Sequence, residues 1–167
     1  MPREVVAVRF LYLMNSESHN QSAPAPETAV RKPRSAYDQV GGLYYVPRML
    51  DKIRLFARGE LHPDYHPNLG RNADGWCCNY LKVNYPELRT RVLAGGEDAE
   101  ILEWCYAQGR RLNEHDVWVW NQCVSRIGWR DAASARLEVV KAQSGLAHRT
   151  DIVTMMDYFD VDEGRKP

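Results

Sequence analysis

The chain has 167 residues, 22 basic and 22 acidic, giving a formal net charge of zero, and 44% of it is hydrophobic. That length fits one domain with a real core, and the charge balance offers no electrostatic reason to expect nucleic acid or an anionic membrane as partner. No apolar run approaches the roughly 20 residues of a membrane-spanning helix, and four cysteines, with Cys77 and Cys78 adjacent, do not make a secreted disulfide framework, so a cytoplasmic location is the simpler inference.

Val5 to Met14 is nearly all apolar, but Arg9 interrupts it and Glu4 offsets Arg3. The small residues at Ser22 to Ala25 lie too far downstream for a signal-peptide cleavage site. Residues 15–32 are rich in Ser, Pro, Ala and Glu and have almost nothing to bury. We expect residues 1–33 to form a mobile or disordered arm, with Met14 as an alternative start. A single helical domain is expected over 34–160 and a frayed polar tail over 161–167.

The pair Gly41-Gly42 allows a tight turn or a close approach. Pro47 suits the first turn of a helix, and Gly59 suits its stop. Between them Val46, Met49, Leu50, Ile53, Phe56 and Ala57 recur at helical spacing and predict one apolar stripe. Arg48, Asp51, Lys52, Arg54 and Arg58 fall mostly off it, and the spacing would let Asp51 sit between Arg48 and Arg54. Two prolines in Leu61-His62-Pro63-Asp64-Tyr65-His66-Pro67 predict an ordered loop.

Further helices are predicted in order. Asp74 caps one through Lys82, Pro86 opens one that stops at Gly95-Gly96, and Asp98 caps one that stops at Gly109. Asn113 and Asp116 form a capping box for a helix to Ile127. Asp131 caps one that ends near Gly145, and Thr150 or Asp151 starts the last. With helical periodicity recurring and no sustained two-residue alternation, the fold should be all-α, an irregular orthogonal bundle of about six to seven short helices.

The stretch RSAYDQVGGLYYVPRMLDKIRLFARGELHPDYHPNLG, followed by GWCCNYL, GGEDAEILEWCYAQGRR and SRIGWRDAASARLE, resembles the bacterial domain of unknown function 5069 family over roughly residues 34 to 165. Leu50-Asp51-Lys52-Ile53-Arg54 and the segment from Asp98 to Trp104 are its specific parts. The resemblance implies a compact helical bacterial domain and brings no activity with it.

Three constellations could carry chemistry. His62, Asp64 and His66 offer metal-ligating groups, but the spacing is not a strong metal signature. The alternative, that these histidines cap helices or bond to backbone carbonyls, is favoured, and no metal is assigned. Asp51, Lys52, His62 and His66 form a candidate catalytic acid–base set, with an ordinary ion pair and surface histidines as the competing reading. Cys77 or Cys78, at the start of a helix, could be a nucleophile, although simple burial is favoured. The five tryptophans fit a core better than a ligand pocket. There is no GxGxxG, phosphate loop, HExxH, serine elbow or CxxC.

These residues lead to one expectation and one rival. The first is a polar cleft between the Pro47–Arg58 helix, the His62–His66 loop and the helix bearing Trp118 and Trp120, binding or transforming a small molecule. Arg48, Arg54, Asp64, Tyr65, Trp118 and Asn121 are its candidate ligand-binding residues. The rival is a non-catalytic structural or interaction domain. Enzymatic activity, cofactor and oligomeric state stay open.

Overall fold

Gly41 and Gly42 have φ of 55° and 77°. This left-handed pair costs glycine little and matches the twist of a two-residue hairpin. It joins β1 (Gln39–Val40) to β2 (Leu43–Tyr44) as antiparallel partners, with Val40 opposite Leu43. The computed structural model describes residues 29–167. The Val5–Met14 run and most of the expected arm lie outside the described residues.

From β2 the chain enters α1 (Val46–Ala57), with Pro47 in its first turn. Val46, Met49, Leu50 and Ile53 are buried as their spacing predicts, each worth roughly 1.5–3 kcal/mol of transfer free energy. The stripe departs from expectation at its edges. Phe56 and Ala57 are exposed, whereas Leu55, Arg48 and Lys52 are buried. α1 is covered over a wider arc than one stripe, and the two buried cations are accommodated because carboxylates from elsewhere reach them.

A 3-10 helix over Pro63–Asn68 follows, then α2 (Ala73–Leu81), α3 (Tyr85–Leu93), α4 (Asp98–Gln108) and α5 (Glu114–Val124). α3 packs on α1 with Leu88 and Val92 buried, and α5 packs on β2, where the Trp120 indole donates to the Tyr44 carbonyl at 2.9 Å. α6 (Ser134–Gln143) pairs with α7 (Met155–Asp162) around a second small core of Leu137, Val140 and Ile152. The fold is all-α, with seven α-helices, one 3-10 helix and the one hairpin among the described residues.

The Asn113–Asp116 capping box is present in both directions, at 2.9 and 3.0 Å. The other predicted caps shift. Asp74 lies inside α2, Glu97 rather than Asp98 caps α4 through a box with Glu100, and α6 begins at Ser134 while Asp131 binds the Gly128 and Ala133 amides. Thr154, not Thr150 or Asp151, caps α7.

Residues beyond both expected domain edges make contacts with the helical body. Arg31 forms a parallel bridge with Leu61, its N–H donating to Glu60 O at 2.7 Å and its carbonyl accepting from His62 N at 3.0 Å. At the other end α7 continues to Asp162 and the Glu163 side chain is only 1% exposed, so the segment expected to fray is held down. Composition could not reveal either attachment, because both depend on partners more than 25 residues away in sequence.

Candidate functional site

The predicted site residues do not converge on one cavity. Lys52 points into the core, where its ammonium lies 2.5 Å from Asp74 Oδ1 and 3.1 Å from the Tyr45 hydroxyl. Tyr45 donates to the same carboxylate at 2.9 Å, and the Gly70 amide donates to Asp74 Oδ2 at 3.1 Å. Burial pulls the Lys52 ammonium below its ordinary proton affinity, and the adjacent Asp74 charge only partly offsets this. Burial, followed by the Asp74 charge, pushes the Tyr45 phenol well up. Tyr45 is also in the left-handed region at φ 73°, an outlier for an aromatic residue, so its backbone is held there by the packing around it.

Arg48 turns away from Asp51. Its guanidinium forms a two-pronged ion pair with Glu163, with both side chains 2% exposed or less, and it stacks 4.9 Å from the Phe159 ring centroid and 5.5 Å from that of Tyr65. The Tyr65 hydroxyl donates to Glu163 at 2.6 Å, and Arg165 also reaches this carboxylate. Burial alone would raise the Glu163 carboxyl, but the hydrogen bonds and charge of Arg48, with Tyr65 and Arg165, hold it below its ordinary value.

Arg54 likewise leaves Asp51, pairing with Asp98 at 2.6 Å, a carboxylate it shares with Arg34 at 2.7 Å. Asp51 instead accepts the Arg34 backbone N–H at 3.0 Å. In the 3-10 segment His62 caps the turn, its Nδ1 accepting from the Asp64 amide at 3.4 Å, and Asp64 is 84% exposed. His66 Nε2 lies 3.0 Å from the Leu61 carbonyl, and its ring packs edge-on to Phe56. No group of three or more His, Cys, Asp or Glu side chains among the described residues is arranged to hold a metal ion.

Trp118 is 58% exposed and stacks on His115. Asn121 completes the hairpin, its Oδ1 accepting from Tyr44 N at 3.0 Å and its Nδ2 donating to Gly42 O at 2.8 Å. Cys77 and Cys78 lie inside α2 rather than at its first turn, and burial raises both thiols, Cys78 to about 12, which removes the nucleophile reading.

Of the predicted set, Asp51 alone lines either of two surface depressions among the described residues. The one it lines is an open cleft of about 400 Å³ between α1, the Arg31–Arg34 strap and the C-terminal segment. Five cationic side chains, those of Arg31, Lys32, Arg34, Arg58 and Arg165, line it with Asp51, Pro33 and Leu55. A second depression of about 520 Å³, beside Trp129, Lys141 and Arg149, is lined by none of the predicted residues. The run Arg31-Lys32-Pro33-Arg34 was the legible signal for the first cleft. Nothing in the sequence marked Arg165 as a neighbour of Pro33, Glu163 as the partner of Arg48 or Asp74 as the partner of Lys52.

What fold and site define together is a small all-α domain with a cation-lined surface cleft. The chain belongs to the family described as Domain of unknown function (DUF5069), whose model matches residues 30–165. No curated protein matches it. No helix among the described residues is long and apolar enough to cross a membrane.

Proposed function

We propose that this domain binds a small anionic molecule in the cleft between α1, the Arg31–Arg34 strap and Arg165. The observation that carries the reading is the gathering of five cationic side chains around one depression in a chain whose net charge is zero. A volume of about 400 Å³ lies within the range of small-ligand sites, roughly 300–1,000 Å³. α1 is one wall of this cleft, and the strap and the C-terminal segment stand where the expected cleft had the His62–His66 loop and the helix bearing Trp118 and Trp120. The reading assigns binding and no reaction. Absence of any overall basic excess argues against an extended polyanion such as nucleic acid, and four free thiols support a cytoplasmic setting.

The test is calorimetric titration with acetate, sulfate and glycerol phosphate at constant ionic strength. Saturable binding of at least one of them should weaken tenfold or more in Arg58→Ala and persist in His66→Ala, whose imidazole faces Leu61 instead. Absence of saturable binding by all three would overturn the reading.

A second reading, a non-catalytic interaction domain, draws on the exposed Trp118 and Val119 on α5. If that face mediates self-association, sedimentation of the parent chain will depend on concentration and that of Trp118→Ser will not.

A further inference from the structure

Resting on the anion-binding reading, we infer that the cleft selects a doubly charged group, a phosphate monoester dianion, over a carboxylate monoanion. The argument lies in how the cations are already compensated. Arg34 and Arg54 together meet Asp51 and Asp98, and Arg48 and Arg165 together meet Glu163 and Asp160, so these two groups are neutral.

Three cations remain. Arg31 and Arg58 share the single Glu60 carboxylate, at 3.7 and 3.0 Å. Lys32 meets only a backbone oxygen among the described residues, the Asp162 carbonyl at 2.9 Å. Three positive charges against one negative leave an excess of two at the cleft, which a dianion neutralises and a monoanion does not.

The donors suit the same ligand. Neither the Arg31 nor the Arg58 guanidinium makes a side-chain hydrogen bond among the described residues, because Glu60 approaches both by charge without an aligned bond. Their planar N–H forks are therefore available, and such forks match phosphate oxygens two at a time. Lys32 adds a compact cation beside them. Among the described residues Pro33 and Leu55 are the only apolar side chains bordering the cleft, so the rest of the ligand is small and polar.

The experiment is titration of the full chain with glycerol phosphate at pH 5 and pH 7.5, with sulfate as a probe that stays doubly charged throughout and acetate as a monoanion. A phosphate monoester has its second pKa near 6, so its dianion falls to about a tenth of the total at pH 5. We expect glycerol phosphate to bind about tenfold more tightly at pH 7.5 than at pH 5, sulfate to change little, and Arg31→Ala and Lys32→Ala each to weaken glycerol phosphate more than acetate. Equal affinity for glycerol phosphate and acetate with no pH dependence would overturn the selectivity while leaving anion binding intact. No binding of any of the three would overturn both.

Discussion

Arg48 on α1 and Glu163 beyond α7 form an ion pair that is sealed from solvent, with side-chain exposures of 2% and 1%, across 115 residues of sequence. Each charge is tolerated in the interior because the other is there. Glu163→Ala should therefore cost about 3–5 kcal/mol, the usual penalty for stranding one partner of a buried pair. The double variant Arg48→Met with Glu163→Leu should cost clearly less than the sum of its singles. Urea unfolding of all four chains measures the coupling.

Acid should loosen the same joint. The folded-state pKa of Glu163 is lowered, so the unfolded chain binds more protons below the ordinary glutamate value of about 4.3. The stability it contributes is present above that value and is lost as pH falls through the lower folded value. Asp98, held down by Arg54 and Arg34 against the effect of burial, acts in the same direction just below about 3.9. Unfolding free energy measured from pH 6 to 3 should fall, and the fall should be shallower in Glu163→Gln.

The Lys52–Asp74 pair gives a graded series. Lys52→Met leaves the Asp74 carboxylate buried with only the Tyr45 hydroxyl and the Gly70 amide, and should cost about 3–5 kcal/mol. Tyr45→Phe removes one hydrogen bond to that charge and should cost about 1.5–3 kcal/mol. Denaturant midpoints in the order parent, Tyr45→Phe, Lys52→Met are the expected result. A Lys52→Met protein as stable as the parent would contradict the buried pairing.

Thiol chemistry separates the cysteines. Cys123 is exposed, while Cys77, Cys78 and Cys105 are buried with thiols raised by burial. A chromogenic disulfide reagent at pH 8 should titrate one thiol quickly in the folded protein and all four of the chain's cysteines once urea is added. Because the buried thiols stay protonated where the unfolded ones ionise, they contribute stability below an ordinary thiol pKa of about 8.5, and this contribution declines above it.

Gly109 carries a steric test. A Cβ placed there would lie 2.1 Å from the Leu81 carbonyl oxygen, a backbone atom that cannot swing aside. Gly109→Ala should therefore lower stability by about 1–3 kcal/mol or more, seen as a drop in melting temperature. Gly59→Ala meets nothing within 4 Å and carries only the strain of φ 69°, about 1–2 kcal/mol.

The sequence was legible where the determinants are local. The proline and glycine bounding α1, the Asn113–Asp116 box and the apolar spacing of Met49, Leu50 and Ile53 each act within a few residues, and each is found in the structure. The site was much less legible. Arg48 and Arg54 sit on α1 at spacings that suggest pairing with Asp51, yet their partners come from residues 163 and 98, and that of Lys52 from residue 74. Asp74 and Asp98 looked like helix caps because aspartate commonly serves there, and long-range cations claimed them instead. No local pattern encodes which distant carboxylate a buried cation will find.

The stitching of residues 32–35 to residues 160–165, through Lys32 to Asp162, Ser35 to Asp160 and Arg165 to Pro33, has a consequence for biosynthesis. A nascent chain leaving the ribosome exposes α1 long before residue 163 has been translated, so Arg48 waits without its counter-ion while the intervening helices are made. Closure of this domain therefore comes late in chain order, and a polypeptide cut short before residue 163 keeps a guanidinium with no carboxylate to meet it.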